Sequence, residues 1–263
     1  MITSLTLLIL SLVALYIGAG WLVQGSSALA LKAKISPLVV GLTIVAFGTS
    51  APELVVSLNA TLSGQGDIAI GNIVGSNIFN IGVILGVSAT ICPLQVKKQL
   101  LRIDIPVMLA ATVLFTILFW NGTLGRTEGL FFLTGIIIYT IFSLFYSRKH
   151  GTEGSSQELE EQPKHWAVDT LAIVGGLVVL VFASRLLVDN AVSIAKELGV
   201  SEAVIGLTIV AAGTSMPELA TSIVAAYKRK TDIAIGNIVG SNLFNILTIA
   251  GSCALIHPIE AKM

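Results

Sequence analysis

The chain has 263 residues, of which 54% are hydrophobic and 11% are charged, and its 15 basic residues balance its 15 acidic residues. Soluble domains carry about 25% charged residues, so this composition excludes an ordinary soluble protein and indicates one that is embedded in a lipid bilayer. The short segments of alternating hydrophobicity that are typical of a membrane β-barrel are absent from the sequence, and we therefore expect an all-α membrane protein.

Eight apolar segments follow one another along the chain, each near the length of about 20 residues that a helix needs to cross a bilayer. They cover residues 5–31, 38–62, 67–91, 103–121, 128–147, 167–195, 203–227 and 232–256. With the N-terminus outside, the inner loops hold eleven lysine and arginine residues and the outer loops hold three. Because cytoplasmic loops are enriched in basic residues, we expect a multi-pass protein of the inner membrane with its N-terminus outside.

Two stretches of the chain repeat each other. Residues 36–96 and 201–261 align without a gap at a constant offset of 165, and 35 of the 61 aligned positions are identical. The shared motifs are GLTIVAxGTSxPEL and, further on, DIAIGNIVGSNxFNI. Five predicted spans separate the two starts, and because five is odd the copies cross the membrane in opposite directions. We therefore expect an inverted-topology repeat, which secondary transporters use to build a site at the midplane.

The repeat divides the chain into two halves. Residues 1–150 contain the first copy, residues 166–263 contain the second, and the polar, acidic segment 151–165 joins them as a cytoplasmic linker. Two further spans, within residues 103–147, follow the first copy, whereas this sequence ends at Met263, two residues beyond the second. By symmetry we expect ten helices, of which this chain shows eight and lacks the last two.

A glutamate lies within one span of each copy. Glu53 and Glu218 stand near the middle of long apolar segments, where an ionisable side chain costs about 2.5–3.5 kcal/mol. No lysine or arginine in either repeat is placed to compensate the charge. A proline directly precedes each glutamate, and since proline has no N–H and clashes with the carbonyl four residues earlier, carbonyls around Gly48 and Gly213 should lose their helical partners. We predict broken helices at the midplane, with a cation as the partner of these free oxygens.

Hydroxyl and amide oxygens accompany the glutamates. A Thr-Ser pair precedes each glutamate, and along the next span polar residues recur every four positions, so that they share one helix face. The predicted ligands are Thr49, Ser50, Ser76 and Asn80 in the first copy, and Thr214, Ser215, Ser241 and Asn245 in the second. The other asparagines of these spans, Asn72, Asn77, Asn237 and Asn242, are predicted to bond between helices, and the glycines of two G-x-x-x-G motifs, Gly71, Gly75, Gly236 and Gly240, to pack against a neighbour. Hard oxygen ligands of this kind suit Ca²⁺ and Na⁺.

Together these motifs carry a resemblance. GTSAPEL with GSNIFN, and GTSMPEL with GSNLFN, resemble the α-repeats of the sodium/calcium exchanger family, within the calcium/cation antiporter superfamily. The resemblance implies a fold of two inverted halves of five helices each, and Ca²⁺ held by Glu53 and Glu218 with the carbonyls of Thr49 and Thr214. It also implies Na⁺ positions near Ala46, Ser50 and Ser76 and near Ala211, Ser215 and Ser241, with a fourth position between the glutamates and Asn80 and Asn245.

The resemblance implies an antiporter that exchanges Na⁺ for Ca²⁺ by alternating access, with these ions as substrates and without a cofactor. Potassium-dependent relatives have aspartate where this chain has Asn245, and proton-coupled relatives have a different glutamate motif, so both departures favour Na⁺ coupling without K⁺. The resemblance also implies a third Na⁺ at an oxygen-only position, which would leave a net positive charge against the central charge of −2, and we therefore expect electrogenic exchange. Three alternatives stay open: an H⁺/Ca²⁺ or K⁺-assisted exchanger, a cation channel, and a non-transporting partner subunit. An enzyme is disfavoured because no histidine lies near the serines and glutamates to act as a base, and no nucleic-acid partner is expected.

Overall fold

The computed structural model describes residues 2–150, 165–205, 208–209 and 211–261. The helices of this part of the chain are α1 (Ile2–Ala33), α2 (Pro37–Thr49), α3 (Ala51–Leu62), α4 (Gly66–Ile91), α5 (Leu100–Leu118), α6 (Arg126–His150), α7 (Trp166–Glu197), α8 (Glu202–Ile205), α9 (Ala211–Gly213), α10 (Met216–Tyr227) and α11 (Thr231–Ile256). A short antiparallel pair, β1 (Thr123–Leu124) and β2 (Ile259–Glu260), joins the loop after α5 to the segment after α11.

Six of these helices, α1, α4, α5, α6, α7 and α11, are long and apolar enough to cross a bilayer, and α2 with α3 makes a seventh span if the bent pair is counted as one. They coincide with seven of the eight predicted segments. The remaining segment, 203–227, includes residues 206, 207 and 210, which lie outside the described part, so the count of eight stays a prediction. The predicted linker at 151–165 also lies outside the described residues, apart from His165.

The second predicted span is a broken helix. α2 and α3 meet at an angle of 47°, and Ser50 between them has a non-helical backbone with φ −83° and ψ 10°. Pro52 lies in the first turn of α3, where proline is tolerated because the first N–H groups of a helix have no intrahelical acceptor. Ser215 has nearly the same backbone, with φ −86° and ψ 10°, directly before α10. The chain therefore breaks at the predicted place in both copies.

A π-helical backbone occurs at Gly41–Val45, Asn80–Leu85, Leu100–Asp104 and Asn245–Ala250, and residues 208–209 are π-helical as well. The second and the fourth are equivalent turns within α4 and α11, and each begins at a predicted site residue, Asn80 or Asn245. π-helical turns inside α-helices are rare and are frequent at functional sites. Hydrophobic periodicity did not predict them.

Helix α11 is the central helix of the described structure. In an apolar 18-residue stretch of α11, 94% of the residues are buried, against 28% in such a stretch of α4, its counterpart in the first copy. One apolar cluster lies where α5 and α6 pack on α11, and another lies among α1, α7 and α10. Glycines let α1 and α7 approach closely, since a Cβ on Gly176 would lie 2.7 Å from the Gly18 carbonyl oxygen. The Lys32–Asp169 ion pair joins the ends of α1 and α7 on the predicted inner side.

Candidate cation site

Glu53 and Glu218 occupy equivalent positions deep in the protein. Each lies in the first turn of the helix that follows a break, α3 or α10, and they are 0% and 1% exposed. The unpaired N–H groups at the start of a helix favour a negative charge. Among the residues that the structure describes, no ion pair involves either carboxylate. The site therefore contains two buried carboxylates without a basic partner.

Each glutamate is hydrogen-bonded to the other copy of the repeat. Ser50 Oγ donates to Glu218 Oε1 over 2.7 Å, and Ser215 Oγ donates to Glu53 Oε1 over 2.9 Å. The serine close to one glutamate in sequence thus binds the other glutamate in space. These reciprocal bonds bring four of the predicted site residues together. They use only Oε1 of each carboxylate, and Oε2 takes no part in them.

The two predicted threonines also face the opposite copy. Thr49 Oγ1 donates to Asn237 Oδ1 over 3.0 Å, and Thr214 Oγ1 donates to Asn72 Oδ1 over 3.5 Å. Thr49 Oγ1 is in addition 3.1 Å from the Val45 carbonyl oxygen of its own helix. The hydroxyls are therefore used within the protein, and the expectation that the threonines bind Ca²⁺ concerns their carbonyl oxygens.

Asn72 and Asn237 connect helices, as predicted. Asn72 Nδ2 donates to the Glu53 carbonyl oxygen over 3.1 Å and to Ser57 Oγ over 2.9 Å. In the other copy, Asn237 Nδ2 lies 3.4 Å from the Glu218 carbonyl oxygen and 3.0 Å from Ser222 Oγ. These two serines are not among the predicted residues, although they are identical between the copies, and that identity is the signal that would have found them.

Four asparagine amides connect α4 to α11. Asn80 Nδ2 donates to Asn242 Oδ1 over 3.0 Å, and Asn245 Nδ2 donates to Asn77 Oδ1 over 2.9 Å. Asn77 Nδ2 also donates to the Asn242 carbonyl oxygen over 3.3 Å. The amide nitrogens of Asn80 and Asn245 are thus satisfied by the opposite copy, whereas their side-chain oxygens are buried without a partner.

Six buried oxygens of the predicted site residues have no hydrogen-bond partner among the described residues. They are Glu53 Oε2, Ser76 Oγ and Asn80 Oδ1 in the first copy, and Glu218 Oε2, Ser241 Oγ and Asn245 Oδ1 in the second. A buried polar atom without a partner costs free energy, so six such atoms in three repeat-related pairs indicate a missing partner. Since all six are oxygens and two are carboxylate oxygens, a hard cation fits this site.

The two predicted alanines lie in unlike surroundings. Ala46 is fully buried, and its carbonyl oxygen accepts the Ser50 N–H over 3.1 Å. Ala211 is exposed at the start of α9. The two-fold correspondence that relates the serines, asparagines and glutamates therefore does not extend to these alanines.

The Gly213 carbonyl, one of the two that we expected a cation to bind, has a side-chain partner in the structure. Ser184 Oγ, on α7, donates to the Gly213 carbonyl oxygen over 2.7 Å, so a hydroxyl replaces the N–H that Pro217 cannot supply. The residue at the matching position of the first half is Ala19, which has no hydroxyl to offer the Gly48 carbonyl. Ser184 is not among the predicted residues; the signal that would have found it is the difference between residues 19 and 184, which are 165 positions apart.

A cavity of about 840 Å³ lies at the predicted inner ends of α1, α4, α10 and α11. Its lining includes Ser27, Cys92 and Arg229, together with Lys97 and Asp232, whose side chains form an ion pair over 2.5 Å. Neither Glu53 nor Glu218 lines it. The cavity is therefore separate from the cluster of unpartnered oxygens.

Comparison with known proteins identifies the family. The family model described as sodium/calcium exchanger protein matches residues 3–145 and 168–263. The chain is 39% identical over 266 residues to the inner membrane protein YrbG of Escherichia coli, covering 99% of this chain and 82% of the relative. It is 32% identical over 291 residues to the sodium/calcium exchanger MaX1 of Methanosarcina acetivorans, covering 97% of this chain and 83% of the relative.

The fold is also similar to that of solved structures. A structure of the sodium-calcium exchanger NCX_Mj, soaked without Na⁺ and Ca²⁺, matches with a TM-score of 0.86 and 32% identity over 99% of this chain and 85% of that chain. This similarity, the apolar helices and the broken helix confirm the predicted all-α membrane fold. The resemblance inferred from the repeated motifs is confirmed as well: the chain belongs to the sodium/calcium exchanger protein family.

Proposed function

We propose that this protein is a secondary antiporter that exchanges Na⁺ for Ca²⁺ across the inner membrane, electrogenically and without K⁺. The observation that carries the proposal is the set of six buried, unpartnered oxygens, two of them from carboxylates that have no basic partner among the described residues. Two ionised carboxylates carry a charge of −2, which one Ca²⁺ or two Na⁺ balance. Membership in the sodium/calcium exchanger family supports the same function.

In this proposal Ca²⁺ binds between the two copies of the repeat. Its ligands are the free carboxylate oxygens of Glu53 and Glu218 and the carbonyl oxygens of Thr49 and Thr214, since Ca²⁺ prefers carboxylate and carbonyl oxygens. The Na⁺ positions lie near Ala46, Ser50 and Ser76, near Ala211, Ser215 and Ser241, and between the glutamates and Asn80 and Asn245.

The charge of the site favours coupled exchange of ions over an uncoupled leak. A site with two bare carboxylates is costly to carry through the low-dielectric middle of the membrane, so reorientation requires bound cations. Inverted repeats permit the same site to open to either side by movement of one half against the other. The halves are residues 1–150 and 166–263, with the N-terminus outside and the linker 151–165 in the cytoplasm.

The proposal is tested by Ca²⁺ uptake into proteoliposomes that contain the purified chain and are loaded with Na⁺. Dilution into Na⁺-free medium with ⁴⁵Ca²⁺ should give saturable uptake. In Glu53→Gln and in Glu218→Gln one of the two charges is lost, and we expect uptake to fall by more than about tenfold, equivalent to about 1.4 kcal/mol. Glu128→Gln, at the outer end of α6 and away from the site, is the matched control and should leave uptake unchanged.

Three outcomes would contradict the proposal. Near-normal saturable exchange in both glutamine variants would show that the two glutamates do not bind the transported ions. Uptake driven by a pH gradient, with equal Na⁺ concentrations on both sides, would show that Ca²⁺ transport is coupled to H⁺ and not to Na⁺. Flux that neither saturates nor needs a counter-transported ion would indicate a channel.

A further inference from the structure

A third buried carboxylate lies outside both copies of the repeat. Asp104, in the second turn of α5, is 0% exposed. Tyr139 on α6 donates its hydroxyl to Asp104 Oδ1 over 2.9 Å, and the Gln99 side chain lies beside the carboxyl group. Asp104 Oδ2 has no hydrogen-bond partner in the described structure. One oxygen of this carboxylate is therefore buried and unsatisfied.

No described basic side chain balances this carboxylate. The ion pairs of the described residues near the predicted inner side, Lys32–Asp169 and Lys97–Asp232, do not include it, and Arg102 on its own helix is exposed. A buried charge without a partner is costly. A cation beside Oδ2 would compensate this cost.

A further oxygen without a partner among the described residues lies near this position. Ser143, one turn after Tyr139 on α6, lies beside the tyrosine hydroxyl, is 1% exposed and has an unpartnered Oγ. Asp104 ends the π-helical turn Leu100–Asp104, and Pro106 follows it. The Asp104 carboxylate and the Ser143 hydroxyl, both beside the Tyr139 hydroxyl, thus offer oxygen donors in one buried place.

The local backbone resembles that of the central site. The equivalent π-helical turns of α4 and α11 begin at Asn80 and Asn245, and the turn at Leu100–Asp104 ends at a buried carboxylate. The two places are also connected: Met108, one turn beyond Asp104, accepts a hydrogen bond at its Sδ from Asn242 Nδ2 over 3.7 Å, and Asn242 accepts from Asn80. Occupancy near Asp104 would therefore act on the packing of α5 against the central amides.

We propose that Asp104, Tyr139 and Ser143 form a second cation site, separate from the glutamate site, that binds one Na⁺. A single carboxylate is balanced by one positive charge, which favours a monovalent over a divalent ion. Neutral and charged oxygen donors suit a hard cation. The site goes beyond the proposed exchange at Glu53 and Glu218 and does not depend on it.

The test removes the central site first. The purified full chain carrying Glu53→Gln and Glu218→Gln is unfolded by heat in detergent, in NaCl or in choline chloride at equal ionic strength. Since an ion that binds the folded state raises the melting temperature, we expect a saturable rise of the melting temperature with Na⁺ in this background. Adding Asp104→Asn should abolish the rise, and adding Glu128→Gln, on the water-exposed end of α6, should leave it intact.

If Asp104→Asn does not fold, a milder variant tests the same proposed Na⁺ site. In the same background, Ser143→Ala removes one neutral donor and should raise the half-saturating Na⁺ concentration by about 2- to 10-fold, the usual worth of one hydrogen-bonding group. The proposal is overturned if Na⁺ has no effect beyond choline in the double-glutamine background, or if the effect is the same with Asp104→Asn or Ser143→Ala.

Discussion

At the scale of single residues, one hydroxyl lies at the break of the second copy and has no equivalent at the break of the first. Ser184 is 4% exposed and donates to the Gly213 carbonyl oxygen over 2.7 Å. Pro217 removes the helical donor for this carbonyl, so the serine satisfies an acceptor that would be buried and unpaired. Ala19 stands at the matching position of the first half and has no hydroxyl. The chain at the break before α10 is therefore hydrogen-bonded to α7, whereas the break before α3 has no equivalent serine bond.

We predict that Ser184→Ala destabilises the folded protein by about 1–3 kcal/mol, because it leaves the Gly213 carbonyl without its donor. The measurement is thermal unfolding in detergent, followed by helical circular dichroism. Ser184→Thr keeps the hydroxyl and should retain most of the stability. Equal melting temperatures for Ser184→Ala and the unchanged protein would show that the bond contributes nothing.

At the scale of helices, nearly the same sequence has two different surroundings. In α11 a Cβ on Gly236 would lie 2.6 Å from the Leu38 carbonyl oxygen, and one on Gly240 would lie 2.5 Å from the Leu42 carbonyl oxygen of α2. In α4 a Cβ on either of the matching glycines, Gly71 and Gly75, meets nothing within 4 Å among the described residues. The predicted packing role of the G-x-x-x-G motif is therefore confirmed for the second copy, and the described contacts do not show it for the first.

This difference predicts that the same substitution has unequal effects on stability in the two copies. Gly240→Ala should destabilise the protein by about 1–3 kcal/mol, because the added methyl group forces α2 away from α11. Gly75→Ala, the same change at the matching position of α4, should alter stability by less than about 0.5 kcal/mol. Thermal unfolding of the two variants in parallel measures the contrast. A similar loss in both would mean that α4 is as closely packed as α11.

At the scale of the whole molecule, the proposed cycle moves charge across the membrane. The described amides at the centre, Asn80 and Asn245, are neutral, so the glutamates alone set a charge of −2. One Ca²⁺ neutralises that charge, whereas three Na⁺, the number that the family resemblance implies, leave one positive charge. Each elementary charge that crosses the membrane is worth about 2.3 kcal/mol per 100 mV. An inside-negative potential should therefore favour Na⁺ entry coupled to Ca²⁺ exit.

We predict that Na⁺-driven Ca²⁺ flux is unchanged when K⁺ is replaced by choline, and that Asn245→Asp makes the flux increase with K⁺. The added carboxylate raises the central charge to −3, which a further monovalent cation can balance. Flux assays in proteoliposomes with K⁺ or choline measure the effect, and Asn121→Asp in the loop after α5 is the charge-matched control. Loss of flux from the unchanged protein in choline would contradict K⁺ independence.

The sequence by itself determined the membrane-embedded class, seven of the eight predicted spans, the repeat, the two breaks and most of the residues that the structure brings together at the candidate site. These features depend on chemistry that is local in the chain: apolar length sets a span, and proline breaks a helix wherever it stands. The identity of the two copies then paired Glu53 with Glu218 and Asn80 with Asn245, because the same polar motif surrounds both members of each pair in the sequence.

Only the tertiary structure decided which oxygens are free to bind a cation. Ser50 binds Glu218 and not the neighbouring Glu53, Ser184 occupies a carbonyl that the sequence left open, and Asp104 meets Tyr139 from another helix. Each of these contacts joins residues that are far apart in the chain, across helix surfaces whose rotation depends on packing and on π-helical turns. Hydrophobic periodicity specifies the face that a helix buries, but the partner of each polar atom on that face depends on which helix packs there.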